Sequence, residues 1–140
     1  MTRSRSISDM PCVLVLMGAL CAGCSVSIHD CAANGEVEKI AAKLAEDPSL
    51  IESTNRWGKA RGKTALHYAV TYGRAEVAEL LLDKGADVDA SDDTGMTPLH
   101  IAATLDRVAE AKLLLEYGAG VDACDRFGDT PLHTAALHGR

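Results

Sequence analysis

Aromatic residues are scarce: one Phe, one Trp and three Tyr in 140 residues. A single thick core built on large rings is therefore excluded, and the apolar content must come from Leu, Ala and Val. Basic charge is also short. Fourteen Lys and Arg face twenty Asp and Glu, a formal net charge of −6. That balance argues against a nucleic-acid partner, because phosphates call for a basic surface. No Gly-x-Ser-x-Gly is present. The run Gly58-Lys59-Ala60-Arg61-Gly62-Lys63-Thr64 holds Gly-Lys-Thr but lacks the first Gly at phosphate-loop spacing. Downstream of Cys24 there is no Cys-x-x-Cys. No catalytic constellation, cofactor site or small-molecule substrate site is predicted. The chain length suits one domain.

What is present in abundance is repetition. Gly62-Lys63-Thr64-Ala65-Leu66-His67-Tyr68-Ala69-Val70 returns as Gly95-Met96-Thr97-Pro98-Leu99-His100-Ile101-Ala102-Ala103. It returns again as Gly128-Asp129-Thr130-Pro131-Leu132-His133-Thr134-Ala135-Ala136. Each step is 33 residues, a period that signals stacked structural repeats. Within the nonamer, Thr stands where an N-cap hydroxyl is wanted. Pro follows at the first helical position, where no donor is lost. A second segment repeats in step: Val77 to Ala90 is echoed by Glu110 to Ala123. Each carries Leu-Leu-Leu and then a Gly past the helix end.

These motifs resemble the ankyrin-repeat family. The Thr-Pro-Leu-His-x-Ala-Ala run, the Leu-Leu-Leu-x-x-Gly-Ala run and the period all match, over about Ile28 to Arg140. The resemblance implies an all-α solenoid of about three and a half helix-turn-helix repeats with projecting finger loops. The repeats span about 28–61, 62–91, 92–124 and a partial 125–140. The first is degenerate: Ile28 to Gly35 aligns with Leu66 to Gly73, and Glu36, Lys39, Lys43 and Glu46 give it a polar, cap-like face. From His29 to His67 is five residues more than the period, which places an enlarged finger at 52–61. Trp57 in it has two readings, folding back over the cap or exposed for binding. Asp106 replaces the Gly73 of the preceding repeat. The fourth repeat ends after its first helix, which leaves Val108, Leu113 and Leu114 half covered. A truncated product, or another surface covering that end, would account for it.

The apparent chemistry has bland explanations. His29, His67, His100 and His133 share one repeat position. Stacked helices lie roughly 8–10 Å apart, whereas zinc ligands must each reach within about 2 Å of the ion. No metal site is expected. By the resemblance, each imidazole bonds the turn before its helix. His138 is expected to be exposed. Asp87, Asp89, Asp92, Asp93, Asp122, Asp125 and Asp129 cluster at turns, where Asp bonds its own backbone. Cys31 takes an inner-helix Ala position and reads as apolar filler. It lies too many layers from Cys124 for a bridge.

The opening of the chain is different in kind. Arg3 and Arg5 precede an apolar run from Cys12 to Leu20, and Ala22-Gly23-Cys24 follows. This describes a secretory signal over 1–23, too short for a comfortable bilayer span. It resembles a bacterial lipoprotein signal, in which Cys24 becomes the lipid-bearing first residue of a domain over 24–140. Cys21 and Leu20 depart from the usual pattern, as does Asp9. Cleavage without lipid and an uncleaved anchor are the second and third expectations. Ser25, by the same resemblance, points to the periplasmic face of the outer rather than the inner membrane. A soluble periplasmic or secreted protein is the alternative.

The expected function is a non-enzymatic protein-binding module, with an inhibitor or immunity-type protein as the alternative. By the resemblance, a protein partner binds finger tips and the exposed side of the first helices. Here those positions are Thr71, Tyr72, Asp93, Thr94, Met96, Thr104, Leu105, Arg126, Phe127 and Asp129, with Leu137 and His138 beside them. Tyr72 and Phe127 are the expected anchors, since aromatics carry much interface energy.

Overall fold

The computed structural model describes residues 26–56 and 61–140. The signal segment, Cys24 and Trp57 lie outside the described residues. Within them the chain forms seven α-helices: α1 (Ile28–Asn34), α2 (Val37–Glu46), α3 (Ala65–Thr71), α4 (Ala75–Asp83), α5 (Pro98–Leu105), α6 (Val108–Glu116) and α7 (Pro131–Leu137). A short 3-10 turn, Pro48–Glu52, follows α2. No strand occurs among the described residues, and none of their helices is long and apolar enough to cross a membrane.

The helices alternate between two rows. The inner row, α1, α3, α5 and α7, stacks helix on helix, and the outer row, α2, α4 and α6, packs behind it. The core runs between the rows. Ile28, Cys31, Ile40, Leu66, Val70, Val77, Leu81, Leu99, Ile101 and Leu114 are all buried in it. Small residues at Ala32, Ala69 and Ala102 are buried where inner helices approach each other. Leu and Ala thus suffice where large rings are few.

The histidines account for the inner row. Each of Thr64, Thr97 and Thr130 donates its backbone N–H to Nδ1 of the His three residues on, at 3.1, 3.2 and 3.3 Å. This is the turn-bonding role that the resemblance implies for all four, and His67, His100 and His133 show it. The second ring nitrogen adds a bond that the pattern did not disclose. Nε2 of His67 reaches the Met96 carbonyl at 3.1 Å, and Nε2 of His100 reaches the Asp129 carbonyl at 2.9 Å. Because Nδ1 accepts, Nε2 carries the proton and donates. Each buried imidazole therefore caps its own helix and clasps the next finger. His29 makes only the second bond, to the Ser53 carbonyl at 2.9 Å. Its helix is capped instead by Ser27 and Asp30, which bond each other's backbone.

Fingers also join directly. Asp93 N–H donates to the Arg61 carbonyl and Arg126 N–H to the Thr94 carbonyl, at 3.3 and 3.0 Å. The approach is close enough to require glycine. A Cβ on Gly62 would lie 2.6 Å from the Asp93 nitrogen, and one on Gly95 would lie 2.8 Å from that of Arg126. Arginines tie successive repeats from the other side. Arg74 Nε donates to the Ala33 carbonyl and Arg107 to that of Thr71, both at 3.0 Å. Asp106 is the one described non-glycine residue with positive φ, at 59°. It keeps the left-handed turn that Gly73 makes, as short polar Asp can, and lies 3.9 Å from Arg140.

One expectation needs correction. Leu114 is not half covered but fully buried, and Leu113 is half-buried against the core; only Val108 is exposed. Leu114 repeats Leu81, which points between the rows, so its environment is complete within its own layer. The apolar groups left in solvent at that end are instead Leu115, Val121 and Leu132.

Candidate protein-binding site

Two kinds of residue line the finger and inner-helix side, and their bonding separates them. The acidic turn residues are largely occupied. Asp92 Oδ1 accepts from Thr94 N–H, from the Thr94 hydroxyl and from Met96 N–H, at 2.8, 2.6 and 3.1 Å. Asp125 Oδ1 accepts from Phe127 N–H and Asp129 N–H, at 2.8 and 3.0 Å. Desolvation acts to raise the Asp125 pKa, but these backbone donors outweigh it and hold the carboxyl below its usual range. Asp87 and Asp89 likewise accept backbone N–H bonds. Such carboxylates fix finger shape. Among the described residues, no group of three His, Cys, Asp or Glu is placed to hold a metal ion.

Several of the predicted contact residues are engaged by the fold itself. Met96 is half-buried against the core. Its carbonyl accepts from Asp92 N–H and His67. The Asp129 carbonyl does the same in the following repeat, accepting from Asp125 N–H and His100. The Thr71 and Thr104 hydroxyls bond back to the His67 and His100 carbonyls, at 2.7 and 2.9 Å. Thr94 and Asp93 are exposed at a finger tip. Asp93 pairs with Arg61 at 3.4 Å, and the Arg126 guanidinium donates to the Asp93 carbonyl. Arg126 thus braces two fingers.

The apolar members have no such employment. Phe127 is 79% exposed at its finger tip. Tyr72 and Leu105, at the ends of α3 and α5, are also exposed, as are Leu137 and His138 at the end of α7. His138 Nδ1 bonds the Thr134 carbonyl at 2.9 Å. The ends of α3, α5 and α7 thus expose Tyr72, Leu105 and Leu137 in successive repeats, and one finger tip exposes Phe127.

The outer helices differ. Lys112 is exposed on α6. Tyr117 donates its hydroxyl to Asp83 of the preceding outer helix, and that bond pushes its pKa up to about 12. Of the two described thiols, Cys31 is wholly buried and raised to about 11, by desolvation first and then by a bond with Glu36. Cys124 is exposed and free. Burial and a raised pKa make Cys31 a poor thiolate.

Comparison with known proteins agrees with this geometry. A human protein named NAD-capped RNA hydrolase NUDT12 is 39% identical over 59 residues, 42% of this chain and 12% of that one. The match covers its ankyrin segment only. The rat 26S proteasome non-ATPase regulatory subunit 10 is 38% identical over 75 residues, 52% of this chain and 31% of that one. This chain spans less than a third of the length of either relative. A family profile described as "Ankyrin repeats (many copies)" matches residues 66–109 and 101–140. Those segments hold both clasping histidines, His67 and His100, and the chain belongs to the ankyrin-repeat family.

Proposed function

We propose that this chain is a non-catalytic module that binds a protein partner through its fingers and the exposed ends of its inner helices, and that it is exported and held at a membrane by a lipid on Cys24. The binding reading rests on one observation: Phe127, Tyr72 and Leu105 stand in solvent on the side where the polar groups are already engaged in shaping the fold. Aromatic and large apolar groups held on a rigid frame, with little left to order on association, suit a protein interface. A relative named as a proteasome subunit works within a protein assembly, which supports a protein partner here too. The mutation test contrasts two faces. Against a captured partner, Phe127→Ala weakens binding about 30-fold or more, as for an interface hot spot, with helicity retained. Lys112→Ala leaves it unchanged. The reverse pattern overturns the assignment.

The tether rests on Arg3 and Arg5, the apolar run and Ala22-Gly23-Cys24. Small residues before the Cys let a peptidase approach the backbone, and the thiol supplies the attachment atom. Each lipid CH₂ buried in the bilayer adds about 0.8 kcal/mol, and more than one acyl chain gives stable anchoring. Metabolic labelling with a fatty acid in a bacterial host marks the wild type and leaves Cys24→Ser unmarked. Equal labelling of both, or of neither, removes the lipid.

A further inference from the structure

The first finger carries charge opposite to that of the fingers after it. From Ser53 to Ala75 the sequence holds no Asp or Glu, and Arg56, Arg61 and Lys63 stand at the base of the finger. From Gly85 to Met96, across the next finger, there is no Lys or Arg, and Asp87, Asp89, Asp92 and Asp93 are present. The third finger sets Asp122, Asp125 and Asp129 against Arg126. The sign of the charge thus changes between two adjacent loops of one surface.

The fold holds the three cations together. Asn55 N–H donates to the Lys63 carbonyl and Gly62 N–H to the Asn55 carbonyl, both at 2.9 Å. The two limbs of the finger are paired at its base, so Arg56 on one limb lies beside Arg61 and Lys63 on the other. Layers flank this base on both sides. His29 reaches the Ser53 carbonyl at 2.9 Å, and Asp93 N–H reaches the Arg61 carbonyl at 3.3 Å. Nearby acids leave most of the positive charge unspent. Glu52 is engaged elsewhere, its Oε1 accepting from Asp87 N–H at 2.8 Å. Asp93 pairs with Arg61 at 3.4 Å, but their side chains stay 52% and 68% exposed, where an ion pair contributes little. Arg56 is exposed and Lys63 half-buried, and neither has an ion-pair partner among the described residues.

We propose that the first finger receives an acidic segment of the protein partner, and that the charge step between the first and second fingers sets the direction in which the partner lies along the array. This rests on the finger side being the binding side and adds the chemistry of what binds there. A short acidic segment at Arg56, Arg61 and Lys63 gains their attraction. One finger further on it meets Asp92 and Asp93. The Asp92 carboxylate is tied to its own loop by Thr94 N–H and Met96 N–H, so it cannot turn away. A partner laid the other way therefore sets like charges together, and that repulsion selects one direction. The same step favours a short acidic segment over a long polyanion. A nucleic-acid strand or an anionic membrane surface spans several fingers and meets the acidic ones as well. Past the first finger the partner turns apolar, to meet Tyr72, Leu105 and Phe127.

Titration of the isotope-labelled full chain with a short peptide of alternating Glu and Gly, followed by amide shifts, is the test. The shifts gather at Arg56, Arg61 and Lys63 and leave 125–129 unmoved. Arg56→Glu weakens the peptide about 3-fold or more, and with Lys63→Glu about 10-fold or more, since attraction is replaced by repulsion. Asp93→Asn acts in the opposite sense and strengthens binding about 2-fold, because it frees Arg61 and removes a nearby negative charge. A finger that had merely lost its shape would bind more weakly instead. Raising the salt from about 0.05 M to about 0.5 M removes most of the binding, as screening of exposed charges requires. No shift at Arg56 or Lys63 overturns the assignment, and so does Asp93→Asn that binds no better than the wild type. A vesicle assay tests the membrane as occupant. The full chain sediments equally with phosphatidylcholine vesicles and with vesicles that also contain phosphatidylglycerol, because an acyl anchor enters both. A preference for the anionic vesicles that Arg56→Glu abolishes would make the finger a membrane contact and overturn the acidic segment. Phe127→Ala against a captured partner tests the binding side separately: weakening there, with no peptide shift here, removes the acidic segment and keeps the side.

Discussion

Leu66 and Leu132 occupy the same place in the same nonamer, each one residue before its repeat's histidine, and one is buried while the other stands in solvent. The local structure around them is alike. Both lie on the first turn of an inner helix capped by Thr and bonded to a following His. The difference comes wholly from the neighbours. Leu66 has α4 behind it and the Thr97 layer beyond, whereas Leu132 has neither counterpart among the described residues. In a stacked array the motif specifies a layer, and the adjacent layers then specify burial. The glycines repeat the lesson: Gly95 is required by the Arg126 backbone against it, while Gly128 faces open space.

Paired substitutions sharpen this comparison most. Leu66→Ala deletes buried methyl groups inside a filled core and costs about 2–5 kcal/mol, the transfer loss plus the cavity left behind. Leu132→Ala, at an exposed side chain, stays within about 0.5 kcal/mol, as surface changes do. Urea unfolding of both variants measures the contrast. Equal costs would mean that Leu132 is buried and would break the comparison.

The layer was legible in the sequence and its surroundings were not. Helix starts at Thr64, Thr97 and Thr130 follow from local capping chemistry, and the 33-residue period gives the stacking order. Cys31 could be read as buried because it falls on an alanine position. The outward bond of His67 and His100 could not, because its acceptors, Met96 and Asp129, are 29 residues away. The same distance hid some of the candidate site. Met96 and Asp129 look like free finger residues in sequence, yet their carbonyls are claimed by the preceding histidine. Tyr72, Leu105 and Phe127 were readable as exposed, since their repeat positions carry no capping or packing task. Val108, Leu113 and Leu114 look in sequence like one half-covered face, but Leu114 is buried, Leu113 half-buried and only Val108 exposed, because helix phase within a nine-residue outer helix separates neighbours that periodicity alone groups.

The clasp itself sets the smallest effect, and its sign can be worked out. Burial holds the His67 pKa below its ordinary 6.5, against the opposing pull of the Met96 carbonyl and the Asp92 carboxylate. In the folded chain Nδ1 accepts from Thr64 N–H, so a second proton can enter only by breaking that cap. The unfolded chain has no such restriction and takes up a proton near pH 6.5. Above that value neither state is protonated and the clasp contributes in full. As pH falls below it the unfolded state binds the proton first, and stability declines until the lower folded value is reached. The decline from this one group is at most about 1.4 kcal/mol per pH unit. His67→Gln should cost about 1–2 kcal/mol near neutral pH, since a buried acceptor or donor loses its partner, and should flatten the fall between neutral and mildly acid pH. His138→Gln, at an exposed helix end, leaves the neutral stability unchanged. Unfolding curves for the three proteins at several pH values decide it: a His67→Gln protein with the wild-type slope would show that the clasp is not what ties the second and third layers together.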